Sequence, residues 1–458
     1  MTPQSLTARD VAVSVLREGG GSVADRLDAL TETHRLSSVD VALAREIAFG
    51  VVRRRSTLWA VLRAFLKEPN RRLPGPVPYI MLVAAYQLLF LDRVPDFAAV
   101  DEAVGQMHRH GQKHQSGMVN AVLRNVARNV SEVQPGKPPL ARDAIPTAAD
   151  AYRWIKRPVF PEPHDEPARY LAAAFSLPVH LAGRWLEQFG SLEATADVCL
   201  HAAGRPPMIL RANTLKTSVE DLLKRLADEG LEVQPHENAL SVVLATHVDV
   251  RSLSAFDEGL FQPQDPTATA VGLTAEPEPG MNVLDFCAAP GTKTTHLAEL
   301  MGGQGHITAV DVSEQKLARV RDNCGRMSIE IVETHLANEI GTLATNSFDL
   351  ALVDVPCSNT GVLARRPEAR WRINDENIAR LARDQCDLLS AAAAFVKPGG
   401  RVVYSTCSLE PEENDQVVRE FLRRVPSAEL LRQRVTTPSG ADDSTRWHDG
   451  GFAAVLRV

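Results

Sequence analysis

Apolar positions along residues 6–130 fall in clusters at helical spacing. Val11, Val13, Val15 and Leu16 form one; Val41, Leu43, Ile47, Val51 and Val52 a second; Leu58, Val61, Leu62, Phe65 and Leu66 a third. The run from Tyr79, YIMLVAAYQLLFLD, is apolar almost all round, which predicts a buried central helix. Asp96 and Asp101 stand where helices are expected to begin. No strand period interrupts, so residues 1–130 predict an all-α helical bundle.

The pattern changes at residue 131. Pro135, Pro138, Pro139, Pro146, Pro158, Pro161, Pro163 and Pro167 crowd residues 131–167, which predicts a semi-rigid linker rather than a packed region. Residues 168–265 predict a small α+β module. It holds two helices (ARYLAAAFS, VHLAGRWLEQFG), a strand in MILRANTL, and the helix SVEDLLKRLADEG with Gly230 placed to end it; a strand in LEVQPHENALSVVLA follows. From residue 266 to 458, short apolar runs (NVLDFC, HITAVD, FDLALVD, RVVYST) alternate with helical stretches such as HLAELM, EQKLARVRDNC and ENIARLARDQCDLLSAAAAFV. Strands apolar on both faces, separated by helices, predict an α/β Rossmann-like domain with a doubly wound parallel sheet. GFAAVLRV reads as its last strand.

Composition narrows the class. Of 458 residues, 44% are hydrophobic and 23% charged, ordinary for a globular chain. No apolar run is long enough to span a bilayer. The start reaches Arg9 and Asp10 before any apolar core, which argues against a secretory leader. Six scattered cysteines without a Cys-x-x-Cys pair predict free thiols, no metal site and a reducing cytoplasm. The net charge of -7 argues against a polyanionic partner, but its distribution modifies that. Residues 1–130 hold 17 Lys and Arg against 12 Asp and Glu, a balance of +5. The remainder carries -12. A basic module on an acidic body fits a nucleic-acid contact, and equally an unevenly charged surface.

Candidate chemistry lies at the carboxyl ends of the C-terminal strands, where such sheets bind ligands. After NVLDFC the chain runs Cys287-Ala288-Ala289-Pro290-Gly291-Thr292-Lys293 into a helix. Small residues there admit a ligand to the backbone and the helix N-terminus. Thr292 separates Gly291 from Lys293, so this is not a phosphate loop, and the dinucleotide G-x-G-x-x-G is missing. The next strand ends in Asp311, placed either to bind a ribose hydroxyl or to cap the following helix. A nucleoside without a pyrophosphate cradle fits, and S-adenosylmethionine is one; a generic nucleotide fold stays open.

Two further strands end in Asp354-Val355-Pro356-Cys357 and in Thr406-Cys407-Ser408, on the same rim. C5 of a cytosine is too weak a nucleophile to accept a methyl group directly. A thiolate adding at C6 raises electron density at C5. A carboxyl at N3 and N4 supports the addition, and a further group helps the thiol leave. Cys407, Asp354 and Cys357 match those roles, and Lys293 with the helix N-terminus is expected to lower a nearby thiol pKa. Buried, inert thiols are the other reading.

The stretches DFCAAPGTKT, DVPCSNTG and YSTCSLEPEEN resemble the RNA 5-methylcytosine methyltransferases of the nucleolar-protein/Sun family. The resemblance implies Cys407 as nucleophile and Cys357 as the cysteine that assists product release. It implies cofactor contacts from Cys287 through Lys293, from Asp311 and from Asp354. One departure stands out: the family's adenine-contacting Asp falls at His335, with Glu333 and Asn338 nearby. DGGFAAVLR also departs from the family's Asp-Gly-Phe-Phe.

LAREIAFGVVRRRSTLW, RVPDFAAVDEAV and GMVNAVLRNVAR are similar to the NusB-like RNA-binding domain of the bacterial small-subunit ribosomal RNA methyltransferase B group (Sun/Fmu). ILRANTLK and Gln264-Asp265 resemble the module joining it to the catalytic domain. This implies a cytosine of 16S ribosomal RNA as target and a monomeric enzyme. Arg53, Arg54 and Arg55 are candidate phosphate contacts or a solvated helix face, and Trp371 a base-stacking residue or a core residue. A transfer-RNA methyltransferase and a non-catalytic ribosome-assembly factor are the alternatives.

Overall fold

The computed structural model describes residues 6–18 and 22–458. Residues 1–5 and 19–20 of the stretch read for a leader, and residues 1–5 and 19–21 of the 1–130 bundle, lie outside the described residues. The chain forms two compact units. One runs up to Gly204 and takes in Arg366–Arg372; the other comprises Arg205–Arg365 and Ile373–Val458.

The first unit opens with six helices: α1 (Ala8–Glu18), α2 (Val23–Thr33), α3 (Ser38–Phe65), α4 (Val77–Phe90), α5 (Asp96–Arg109) and α6 (Ser116–Asn129). Ser22 and Ser37 cap α2 and α3 by accepting from Asp25 and Asp40 N–H groups. The apolar run from Tyr79 lies in α4, buried from Val77 to Leu89 except at Pro78 and Tyr79. Asp96 begins α5, whereas Asp101 lies inside it.

Residues 131–167 are not an unpacked linker. β1 (Gln134–Pro135), β2 (Ala144–Ala148) and β3 (Ala151–Trp154) form an antiparallel sheet in the order β1-β3-β2. Ile145, Ile155 and Phe160 are buried. The prolines mislead because Pro135 and Pro146 sit on the two outer strands, where a missing N–H leaves no central ladder bond unmade. Helices α7 (Pro167–Ala174), α8 (Val179–Phe189) and α9 (Leu192–Ala203) complete this unit, although their sequence position groups them with the α+β module.

Two RNA-contact candidates are internal to the first unit. Arg54 is buried, donates to the carbonyls of Pro146 and Thr147, and lies 5.0 Å from the Phe90 ring centre. It is therefore not free to meet phosphate. Trp371 donates its Nε1–H to Val52, and Arg55 covers its ring at 5.5 Å. An arginine, not a base, occupies the ring face. Neighbouring Arg370, fully buried, donates to carbonyls of Arg53, Ser176 and Ala202.

The second unit begins with a four-stranded antiparallel sheet, β5-β6-β4-β7, from β4 (Met208–Ala212), β5 (Val233–Pro235), β6 (Ser241–Leu244) and β7 (Phe261–Pro263). Helix α10 (Val219–Asp228) packs Leu222 and Leu226 against it, and Gly230 at φ 83° follows the helix end. The single strand expected in LEVQPHENALSVVLA is two, β5 and β6. The short α11 (Ser254–Asp257) and then α12 (Pro266–Ala275), capped by Asp265, lead into the large sheet.

That sheet has seven strands in the order β10-β9-β8-β11-β12-β14-β13. β8 (Asn282–Phe286), β9 (His306–Asp311), β10 (Val332–Leu336), β11 (Phe348–Asp354) and β12 (Val396–Thr406) are parallel. At one edge β14 (Gly451–Arg457) runs antiparallel between β12 and the outermost strand, β13 (Glu429–Thr436). Helices α13 (Thr292–Leu300), α14 (Glu314–Met327), α15 (Asp375–Ala393) and α16 (Asp415–Arg424) make the crossovers. Side chains alternate between two cores: Leu284, Phe286, Ala351, Val353 and Tyr404 face one, Val283, Leu350, Leu352 and Val403 the other. Both faces are covered, which explains the continuous apolar strands.

Candidate active site

The site grows from the ends of β8, β9, β11 and β12. At the end of β8 the N–H groups of Cys287 and Ala288 both donate to the Val310 carbonyl at 3.0 and 2.9 Å, fastening the turn to β9. Cys287 takes φ 76° and Gly291 φ 95°. A Cβ on Gly291 would sit 3.1 Å from the Val320 Cα, so glycine lets this turn press onto α14. Helix α13 then starts at Thr292 with no side-chain cap, leaving its first N–H groups to meet a ligand carboxylate.

Asp311, 5% exposed, ends β9. Its Oδ2 accepts from Ala289 N–H at 3.0 Å, and its Oδ1 from Val312 N–H at 2.7 Å and from Lys316 Nζ at 3.1 Å. Oδ2 keeps one lone pair, the acceptor a ribose hydroxyl needs. Beneath the loop, Asp285 accepts from Thr294 Oγ1 at 2.6 Å, while its Oδ1 has no partner among the described residues. Burial pushes this carboxyl up to about 7. Burial, with Asp311 beside it, likewise raises the Cys287 thiol to about 12, which makes it unreactive.

Strands β11 and β12 run parallel with Asp354 opposite Ser405, so the loops that follow emerge side by side. Asp354 accepts from Ser405 Oγ at 2.7 Å and from Lys293 Nζ at 2.7 Å. Burial opposes the Lys293 charge, but Asp354 outweighs it and holds the ammonium above its ordinary range. The Sγ atoms of Cys357 and Cys407 lie 3.0 Å apart, with Asn359 Oδ1 3.4 Å from Cys407. A hydrogen bond with Cys407, then burial, then the charges of Cys407 and Glu413 push the Cys357 thiol well up. Gly361 donates to the Cys407 carbonyl at 2.9 Å and accepts from Gly450 N–H at 2.8 Å. A Cβ there would meet Gly450 at 2.6 Å, so the three backbones meet only because residue 361 is glycine.

The structure thus brings together Cys407, Cys357, Asp354 and Lys293, with Cys287–Thr292 and Asp311 on the same rim. His335 stands inside β10 opposite Val310, one residue before the strand ends; Asn338 lies in the turn beyond it. His335 Nε2 is 3.2 Å from Glu333 without making a hydrogen bond.

The 16S rRNA methyltransferase RsmB/F family matches residues 272–449, the NusB family residues 6–128, and the RsmF/B-like ferredoxin-like domain residues 177–251. The probable ribosomal RNA small subunit methyltransferase B of Bacillus subtilis is 31% identical, over 88% of this chain and 84% of its own length. That of Klebsiella pneumoniae is 34% identical, over 93% and 91%. The chain belongs to the 16S rRNA methyltransferase RsmB/F family. It is an S-adenosylmethionine-dependent RNA methyltransferase with a NusB-type helical domain. A methyltransferase homolog from Pyrococcus horikoshii, 29% identical, superposes with a TM-score of 0.53 over 63% of this chain and 97% of that one. A second solved structure, of PH0851, 24% identical over 98% of both chains, shares the fold at a TM-score of 0.74. Among the described residues no helix is long and apolar enough to cross a membrane.

Several contributors escape a reading of motifs alone. Arg365 bridges Asp449 at 2.6 Å and Asp265 at 2.9 Å, tying the loop after Cys357 to the start of α12. Only the DGG and Gln264-Asp265 motifs hint at it. Glu413, inside the motif that carries Cys407, turns its carboxylate under both cysteine loops.

Proposed function

We propose that this enzyme methylates C5 of a specific cytosine in 16S ribosomal RNA, through a covalent bond between Cys407 and C6. The observation that carries the reading is the 3.0 Å approach of the Cys357 and Cys407 sulfurs beside the Lys293–Asp354 pair. Bound S-adenosylmethionine supplies an electrophilic methyl group on a sulfonium sulfur. The residues suit it: the loop Cys287–Lys293 and the uncapped start of α13 for its polar tail, Asp311 for its ribose, and Asp354 on the side of the reacting base.

Cys407 acts as thiolate. Its sulfur electron pair forms the S–C6 bond, and the C5=C6 pair moves toward C5 and the N3 side of the ring. Asp354, oriented by Ser405, accepts from the N4 amino group and relays a proton from the Lys293 ammonium to N3, which neutralises the charge arriving there. Cys357 keeps its proton, because two thiolates 3.0 Å apart repel each other. Once C5 has taken the methyl group, water takes the C5 proton, the C–H pair re-forms C5=C6, and the S–C6 pair leaves on the Cys407 sulfur, which the Cys357 S–H hydrogen-bonds; the N3 proton returns through Asp354 to Lys293. The target cytosine reaches the rim from a loop or flipped out of its stack, since C6 is attacked from its face.

The helical RNA-binding domain at residues 1–130, the catalytic domain at residues 266–458, a monomeric state and a cytoplasmic location belong to the same proposal. The test is methyl transfer from labelled cofactor to naked 16S RNA, assembled 30S particles and transfer RNA, with product read as 5-methylcytosine. Label at one 16S cytosine is expected. Label on another atom, or on transfer RNA alone, overturns the reading.

A further inference from the structure

One buried carboxylate underlies both cysteine loops. Glu413 closes a short 3₁₀ turn, Pro411–Glu413, and is fully buried. Its Oε1 accepts from Ser358 N–H and from Gln385 Nε2, each at 2.9 Å. Its Oε2 accepts from the hydroxyls of Ser358 and of Ser408, the latter at 2.6 Å. Ser358 and Ser408 are the residues immediately after Cys357 and Cys407. Gln385 also donates to the carbonyl of Pro356, the residue before Cys357, at 2.9 Å. From below, Tyr404 donates its hydroxyl to the Glu413 carbonyl at 2.5 Å.

Among the described residues no cation pairs with Glu413. Four donors take the place of one, and together they satisfy a charge that burial would otherwise make costly. A glutamine or an apolar residue would fill the space without burying a charge. Only a carboxylate offers two acceptor oxygens, and each oxygen here takes two donors. Oε2 is shared by the loops of the two sulfurs.

We propose that Glu413 is the positioning residue that sets the distance between the two reacting sulfurs, by holding Ser358 and Ser408 on one carboxylate. The inference rests on the roles given above to Cys407 and Cys357. Covalent attack and sulfur release are both short-range steps, and a displacement on the order of 1 Å costs up to about 100-fold in rate. The Glu413 charge acts in the same direction on the proton: it is among the influences that keep Cys357 a thiol.

Glu413→Gln, Ser358→Ala and Ser408→Ala in the full chain separate positioning from general stability. Each is assayed for kcat, for cofactor affinity by calorimetry, and for covalent protein–RNA adduct by denaturing gel. Glu413→Gln is expected to lower kcat about tenfold or more. Its cofactor affinity stays within about twofold, since no Glu413 bond reaches the cofactor loop. Ser358→Ala, which loosens the Cys357 side, is expected to raise the adduct fraction, and Ser408→Ala to slow adduct formation. The serine variants leave the carboxylate in place and carry the test if Glu413→Gln does not fold. Loss of kcat in step with cofactor affinity and melting temperature overturns the proposal, as does a kcat near wild type in all three. Inactive Cys407→Ala alongside unaffected Glu413 and serine variants rejects the positioning role alone; an active Cys407→Ala rejects the nucleophile assignment.

Discussion

Cys357 and Cys407 place their sulfur atoms 3.0 Å apart although 50 residues separate them in the chain. The adjacency follows from topology. β11 and β12 are neighbouring parallel strands, and each cysteine lies just beyond the carboxyl end of its strand. Two thiols so close share one charge more readily than they hold two, which is what the proposed division into a nucleophile and a proton-bearing partner requires.

In the proposed mechanism Lys293 holds Asp354, to which it donates at 2.7 Å, and protonates the base through it. Lys293→Met removes the ammonium without removing the stem, and is expected to lower kcat roughly 100-fold. Single-turnover methyl transfer checks this. A rate within threefold of wild type would place Lys293 outside the reaction.

Asp285 makes the stability of the catalytic unit depend on pH. Its folded pKa, about 7 because of burial, lies above the ordinary carboxyl value, so the folded state holds the proton more tightly than the unfolded one. Its contribution is therefore full at acid pH and is lost as pH rises through the window ending near 7. Asp285→Asn, which keeps an acceptor for Thr294, is expected to flatten that loss. Thermal melts from pH 5 to 8 should show the variant gaining on wild type as pH rises. A constant difference across the range would contradict the assignment.

Arg211 and Glu299 form an ion pair in which both side chains are 1% exposed. Burial lowers the arginine pKa and raises that of the glutamate, so each charge is held at a cost. Glu299→Leu alone leaves an unpaired buried guanidinium and should cost roughly 3–5 kcal/mol. Arg211→Met with Glu299→Leu should recover most of it. Denaturant unfolding of the singles and the double measures this; additive losses would show that the two side chains act independently rather than as a pair.

Much of the catalytic unit is legible in its residues. The alternation of apolar strands with helices, the turn from Cys287 to Lys293 and the two cysteine motifs all rest on local pattern, and the rim they form follows from parallel topology. What escapes is nonlocal. The prolines of residues 131–167 describe a linker until the edge positions of Pro135 and Pro146 are known. Arg54 and Trp371 look available for RNA until Pro146, Thr147, Val52 and Arg55 are found against them. Glu413 is an ordinary acidic residue in the chain and becomes distinctive only when Ser358, 55 positions away, folds onto it.

The covalent reading is tested most directly by trapping the enzyme on its RNA. Cys357→Ala, incubated with cofactor and 16S RNA, is digested and the crosslinked peptide is sequenced by mass spectrometry. The account predicts an accumulated adduct joined at Cys407 and carrying a methylated cytosine, with no adduct and no transfer in Cys407→Ala. Methyl transfer that persists in Cys407→Ala, or an adduct joined at any other residue, contradicts it.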